Sequence, residues 1–296
     1  MISTNQKINL REERDFSSKL NATFHFIRAN FRTLLKTLFM YVTPLALAAG
    51  ISSGIYQARV LRGLSGTNEF ETYGQFSFFN QVTSVNYFFT AFFMLTSVYV
   101  LFLAVYSFMV VYQDEEGEVN PAAVWLHMKE HLVKVIFGGV LIALITFLSL
   151  FLLGLGLYLG VVLSLFVVVM VREDLDFIET VERCFTLIKG NWWATFGLII
   201  VAGFIQGVVT WLTALPLFAI GVMRGLQVPG MDNDLLLVVV QTISSVLGIY
   251  IYAISAIAIG FQYFNLVEKK EGLGLLEQAD LIGRHNLDTS ANEGQY

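Results

Sequence analysis

The sequence predicts an all-α polytopic membrane protein. It reads as six transmembrane helices, arranged as three repeats of an amphipathic interfacial helix plus a transmembrane hairpin. Three observations carry this. The chain is 56% hydrophobic and only 14% charged, whereas a soluble domain carries about a quarter charged residues. Uncharged apolar stretches recur along it, each long enough for the roughly 20 residues that a span needs. A short amphipathic motif stands before each pair of those stretches.

The spans follow in order. Residues 37–57, "TLFMYVTPLALAAGISSGIYQ", form the first apolar run and residues 84–112 the second. Residues 135–171 carry no charge over 37 positions, too long for one span and enough for two. The "LGLG" at 153–156 supplies the reversal between them, since glycine accepts the dihedrals of a tight turn. Residues 192–222 and 235–264 complete the six. A single membrane domain therefore covers 1–284, in units of about 15–112, 116–172 and 176–265. The stretch 285–296 is read as a disordered tail, and the aromatic loop 67–80 as resting on the outer membrane surface.

The amphipathic motif appears twice in clear form. "DFSSKLNATFHFIRAN" (15–30) and "DFIETVERCFTLIKGN" (176–191) share Asp15/Asp176, Phe16/Phe177, Phe24/Phe185, Ile27/Ile188 and Asn30/Asn191. A weaker copy, "VWLHMKEHL" (124–132), puts Trp125, Met128, Lys129 and His131 in matching places. Such internal repetition is a fold-level signal. Phe16, Leu20, Phe24, Ile27 and Phe31 recur at helical spacing as one apolar stripe. Phe177, Val181, Phe185, Ile188 and Trp192 repeat it. Asp176 with Glu179 predicts a capping box, and Asn120-Pro121 an N-cap followed by proline in the first turn. The stripe is expected to sit in the acyl boundary, with Arg28, Lys129 and Lys189 reaching headgroup phosphates. Asn30 and Asn191 mark the elbow, where Gly190 permits the bend and Asn191 is expected to cap the next helix. Trp192 and Trp193 suit the interfacial belt. A lipid-headgroup site of some specificity is the alternative reading of this "KGNWW" stretch.

Charge orients the bundle. With both termini inside, all but Arg59, Arg62 and Arg224 of the 18 Lys and Arg fall on the cytoplasmic side. The expected location is the inner (cytoplasmic) membrane of a bacterium, multi-pass. The N-terminus "MISTNQKINLREERDF" is polar and predicts no cleavable signal peptide.

A span ending in Glu173, an interfacial helix and then "LIKGNWWATFG" resembles a group of poorly characterised bacterial six-span proteins. These are similar to the membrane domain found beside some glycerophosphodiester phosphodiesterases. The resemblance implies the six-span fold. It does not imply the phosphodiesterase activity, because no segment between the spans is long enough for that soluble domain.

Catalytic constellations are not found. No Asp, Glu, Lys, Arg or His lies within the six apolar runs, which argues against proton coupling and intramembrane proteolysis. Polar groups at membrane depth include Gln206, Thr210, Thr213, Gln241, Thr242, Ser244, Ser245, Ser255 and Gln262. They are expected to hydrogen-bond between helices, while Gln206, Gln241, Ser244 and Ser245 offer an alternative polar path. Gly50/Gly54, Gly139/Ala143, Gly203/Gly207 and Ala256/Gly260 read as close-packing faces. In "HMKEH" Met128 stands where a zinc protease needs its glutamate, so no metal is expected. A two-His site with a carboxylate from 114–118 is the alternative. The acids Glu173, Asp174, Asp176, Glu179 and Glu182 sit at a helix start, where they complement its dipole. The mild net charge of −5 and the lack of a basic stripe exclude nucleic acid.

The expected function is that of a non-catalytic membrane protein, a scaffold or accessory subunit organising lipid or a membrane complex. No cofactor is expected, and the expected partners are membrane lipids and another membrane protein. The alternative is a transporter or flippase for a neutral or lipidic substrate.

Overall fold

The computed structural model describes residues 7–65, 85–115, 117–149, 151, 154–231, 233–272, 274 and 276. Within the described residues the chain is helical, with no strand. The loop 67–80 and the tail 285–296 lie outside them.

Helix α1 (Phe16–Tyr41) starts at Asp15, whose carboxylate accepts from the Ser18 N–H at 2.7 Å. The repeat predicts an elbow near residue 30, but α1 runs through it. Ala29 stands where the later copy has Gly190, so nothing forces the chain to turn. The break comes at Val42 instead, because Pro44 has no N–H for the Met40 carbonyl. Helix α2 (Thr43–Ser65) leaves at 62° to α1. The apolar run 37–57 therefore straddles a bend rather than forming one straight span.

The remaining helices are α3 (Val85–Asp114), α4 (Pro121–Ser149), α5 (Leu155–Leu163), α6 (Phe166–Glu173), α7 (Phe177–Ile188), α8 (Trp192–Gly225) and α9 (Asp234–Glu271). Among the described residues five stretches are long and apolar enough to cross a membrane: α3, α4, α5 with α6, α8 and α9. The bent α1–α2 pair makes six if it counts as one span. Helix α4 opens as expected, with Pro121 first and Asn120 Oδ1 accepting from the Ala122 N–H at 3.0 Å. Its amphipathic segment continues straight into the apolar part, since Glu130 holds the glycine position. Gly154, at φ +83°, caps the start of α5 within the predicted "LGLG" reversal.

Helix α9 is central, packed against α2, α8, α3 and α1. The core lies at one end of the bundle. There α3 is buried almost continuously from Val100 to Tyr112, and α9 from Ala256 to Glu268. Phe26 sits in its middle, edge-on to Phe108, Tyr112 and Phe261 at 6.0, 4.9 and 5.9 Å. Toward the other end α2 and α9 approach backbone to backbone: a Cβ on Gly54 would lie 2.9 Å from Val238 Cα. Gly203 and Gly207, expected as a packing face, meet nothing within 4 Å, because that side of α8 points away from the bundle.

Candidate functional site: the interfacial elbow and the inner polar cluster

The two clear copies of the motif turn only part of their stripes outward: Ile188 is buried in the core, and Ile27, Phe177, Val181 and Trp192 are half-buried against it. Phe16, Phe24 and Phe31 are exposed, as is Phe185 in the later copy. The buried face is formed in α1 by Lys19, Thr23 and Phe26 and in α7 by Thr180, Cys184 and Leu187, with Ile188 buried beside them. The two sets of three are matched positions of the two copies. In the middle copy Met128 is fully buried, as Ile188 is at the matching position of the later copy.

The elbow after α7 is a sharp turn. Lys189 ends the helix, Gly190 takes φ +84°, and the Asn191 N–H donates to Ile188 O at 2.8 Å. Asn191 opens α8 but its side chain makes no capping bond, contrary to expectation; its backbone adopts φ −125° and ψ 16° instead of an extended cap geometry. Asp176 and Glu179 do form the predicted capping box, with the Asp176 N–H donating to Glu179 Oε2 at 3.4 Å. Trp192 stacks on Phe196 at 5.0 Å and on Tyr158 at 6.1 Å, and its Nε1 donates to Tyr158 O at 3.4 Å. Trp193 projects outward, 77% exposed. Lys189, Arg28 and Lys129 are all exposed. Asn30 is mid-helix and donates from Nδ2 to Phe26 O at 3.1 Å.

The candidate polar path divides into separate contacts. Gln241 Nε2 donates to Ser53 Oγ at 3.0 Å and Ser245 Oγ at 3.1 Å, tying α9 to α2. Ser255 Oγ donates to Gln206 Oε1, tying α9 to α8. Positions 241 and 255 lie about 21 Å apart along the helix, so the two glutamines do not meet. Ser244 lines an apolar crevice between α8 and α9 with Thr213, Pro216 and Leu247.

Three polar clusters at the packed end escaped the sequence reading. In the first, Lys19 is 4% exposed and its Nζ donates to Gln262 Oε1 at 2.6 Å. Gln262 Nε2 donates in turn to Thr195 Oγ1 at 2.8 Å, joining α1, α9 and α8. In the second, Arg183 Nε donates to Glu173 Oε2 at 2.8 Å, and Tyr263 Oη donates to Glu173 Oε1 at 2.8 Å. Arg183 also pairs with Glu271, so α6, α7 and α9 are tied together. In the third, Asp174 accepts from Lys134 Nζ at 3.2 Å and faces His131 Nε2 at 3.3 Å. The Lys134 hydrogen bond and charge hold the Asp174 carboxyl below the usual carboxylate range, with His131 contributing.

The acids at the start of α7 are thus engaged with basic or capping partners, Glu182 excepted, which is exposed. His127 and His131 stack at 4.9 Å, and among the described residues no group of three His, Cys, Asp or Glu is placed to hold a metal. The second and third clusters were signalled by acids and bases flanking α7. The first was signalled by Lys19 lying opposite the apolar stripe.

Taken together, these contacts fix α7 and the start of α1 against the bundle while leaving Phe16, Phe24, Phe31 and Phe185 and the cations Arg28 and Lys189 outside. In comparisons with known proteins, no family model, curated protein or solved structure matches the chain.

Proposed function

We propose that this chain is a non-catalytic membrane protein, a scaffold or accessory subunit that organises lipid or a membrane complex. One observation carries the reading. The elements at the packed end expose apolar side chains beside cations (Phe24 with Arg28, Phe185 with Lys189) while their polar clusters face inward. That is the arrangement of a helix lying in a membrane interface. It goes with three repeated units in the inner membrane of a bacterium, both termini cytoplasmic, and with kinship to the six-span proteins named above. Long outward apolar faces, such as Phe204, Trp211 and Phe218 on α8, offer surface to acyl chains or to another membrane protein.

A second reading, passage of a neutral or lipidic solute, is favoured by Gln241 Oε1 and Thr210 Oγ1, which are buried without a hydrogen-bond partner among the described residues. Reconstitution in vesicles carrying a fluorescent phospholipid separates the two. The scaffold reading expects dithionite to bleach only the outer-leaflet fraction, as in protein-free vesicles. Complete bleaching that Gln206→Leu with Gln241→Leu abolishes would establish the transporter instead.

A further inference from the structure

Helix α1 is charged unlike the rest of the chain. It holds four basic residues, Lys19, Arg28, Arg32 and Lys36, and no acidic one, in a protein whose net charge is −5. Lys19 turns inward to Gln262, and the other three are exposed. Spaced four apart, Arg28, Arg32 and Lys36 follow one gently winding line over about 12 Å. Phe31, Leu35 and Phe39 are exposed along a second line, about a quarter turn away. The other interfacial segments mix their signs: Glu130 follows Lys129, and Glu179 and Glu182 precede Lys189.

The helix is also pinned at both ends. Toward its start Phe26 packs edge-on to Phe108, Tyr112 and Phe261. At its end Tyr41 Oη donates to Pro121 O at 3.0 Å, and the ring stacks on Trp125 at 5.1 Å. Beyond it α2 turns away by 62° and follows α9, with a Cβ on Gly50 only 2.8 Å from Thr242 Cα. Helix α1 thus runs oblique to the α2–α9 pair. A helix set this way presents its rows side-on to a membrane surface.

We propose that the exposed edge of α1 binds anionic glycerophospholipid headgroups, with Arg28, Arg32 and Lys36 on the phosphates and Phe31, Leu35 and Phe39 among the acyl chains. This rests on the reading of the protein as an organiser of lipid. It makes that reading specific, because it selects the lipid by charge and puts the selection on α1 rather than at the elbow after α7. Phosphatidylethanolamine also carries a phosphate, but its ammonium cancels the charge that the row attracts. Each basic residue close to an anionic surface strengthens the attraction, so three in a row discriminate by net charge.

Native mass spectrometry of the full chain in mild detergent, titrated with phosphatidylglycerol or phosphatidylethanolamine, tests it. The wild type is expected to hold phosphatidylglycerol at least tenfold more tightly than phosphatidylethanolamine. The triple variant Arg28→Gln, Arg32→Gln, Lys36→Gln is expected to lose that preference. Arg59→Gln, which removes an exposed cation from α2, is expected to keep it. Should the triple variant fail to assemble, Arg32→Gln alone, at the centre of the row, is expected to lower the preference at least threefold. Equal binding of the two lipids by the wild type overturns the proposal, as does an unchanged preference in the triple variant or in Arg32→Gln. In those cases lipid is still bound and the broader reading stands. A chain that holds neither lipid overturns both.

Discussion

A Cβ on Gly54 would sit 2.9 Å from Val238 Cα, with Val238 O at 3.1 Å. Neither atom can rotate away, because both belong to the backbone of α9. Gly54→Ala must push α2 off α9, and overpacking of this kind costs about 1–3 kcal/mol. Gly190 is constrained differently: it has open space around it but φ +84°. Gly190→Ala pays only the left-handed backbone penalty, about 1–2 kcal/mol. Gly203 has neither constraint, being helical with nothing within 4 Å. Gly203→Ala is expected to change stability by no more than about 0.5 kcal/mol. Thermal melting in detergent should therefore rank the variants with Gly54→Ala and Gly190→Ala well below Gly203→Ala; a Gly203→Ala protein as unstable as Gly54→Ala would contradict the packing described. The sequence pattern made Gly50/Gly54 and Gly203/Gly207 look alike. A small-xxx-small spacing identifies a smooth helix face but does not say whether another helix lies on it. Lys19 was similarly half legible: its charge was counted among the inside cations, while its inward direction follows from Thr23 and Phe26 lying on the same buried face.

At the level of elements, the apolar runs set the helices well, because uncharged length is a direct property of sequence. The ends of α3, α8 and α9 fall close to the predicted 84–112, 192–222 and 235–264, with α9 running on past its apolar part. The elbows were less legible. Matching residues made 15–30 and 176–191 look like equivalent separate helices, yet only the later copy has a glycine to turn on. Pro44, 15 residues beyond Ala29, took over the bend in the first unit. What the copies share is one outward phenylalanine, Phe24 or Phe185, a turn before an exposed cation. Phe24 and Phe185 face outward at 44% and 37% exposure; on the proposed reading a membrane interface would remove from water about 1.5–3 kcal/mol worth of apolar side chain. Phe24→Asp and Phe185→Asp would set a carboxylate there and are both expected to lower the yield of assembled protein severely. Lys189→Ala removes an exposed charge near anionic lipid, a contribution of about 1 kcal/mol, and is expected to be mild. Size-exclusion chromatography of fluorescent fusions from solubilised membranes reads this order directly. The reverse order, with a tolerated Phe185→Asp and a well-folded but inactive Lys189→Ala, would make the elbow a ligand site.

For the whole molecule, the packed core and most of the basic residues share one end of the bundle. The start of α1, the ends of α3 and α6, α7, the start of α8 and the end of α9 meet there through Phe26, Glu173 and Gln262. Arg224, by contrast, lies at the far end of α8, where it pairs with Asp234 at 3.4 Å. A bundle so polarised is expected to sit with its packed, basic end in the cytoplasm. The chain is well suited to test this, because Cys184 is its single cysteine. Burial, reinforced by the charge of Glu173, pushes the Cys184 thiol up to about 12. Near neutral pH it is therefore protonated as well as shielded, and maleimides should leave it unlabelled in the folded protein. Single cysteines can then be introduced without altering the background: Val228→Cys at the far end, Glu118→Cys between α3 and α4, and Gly66→Cys in the stretch that follows α2 in the sequence. In intact cells with a permeable outer membrane, an impermeant maleimide is expected to label positions 66 and 228, which the charge bias of the sequence assigns to the outside, and to spare position 118. Permeabilising the inner membrane should then admit label to 118. Labelling of 118 in intact cells, with 66 and 228 protected, would invert the molecule. It would also place the Lys19 end against the outer leaflet, where the charge bias of the sequence would have no cytoplasmic surface to answer to.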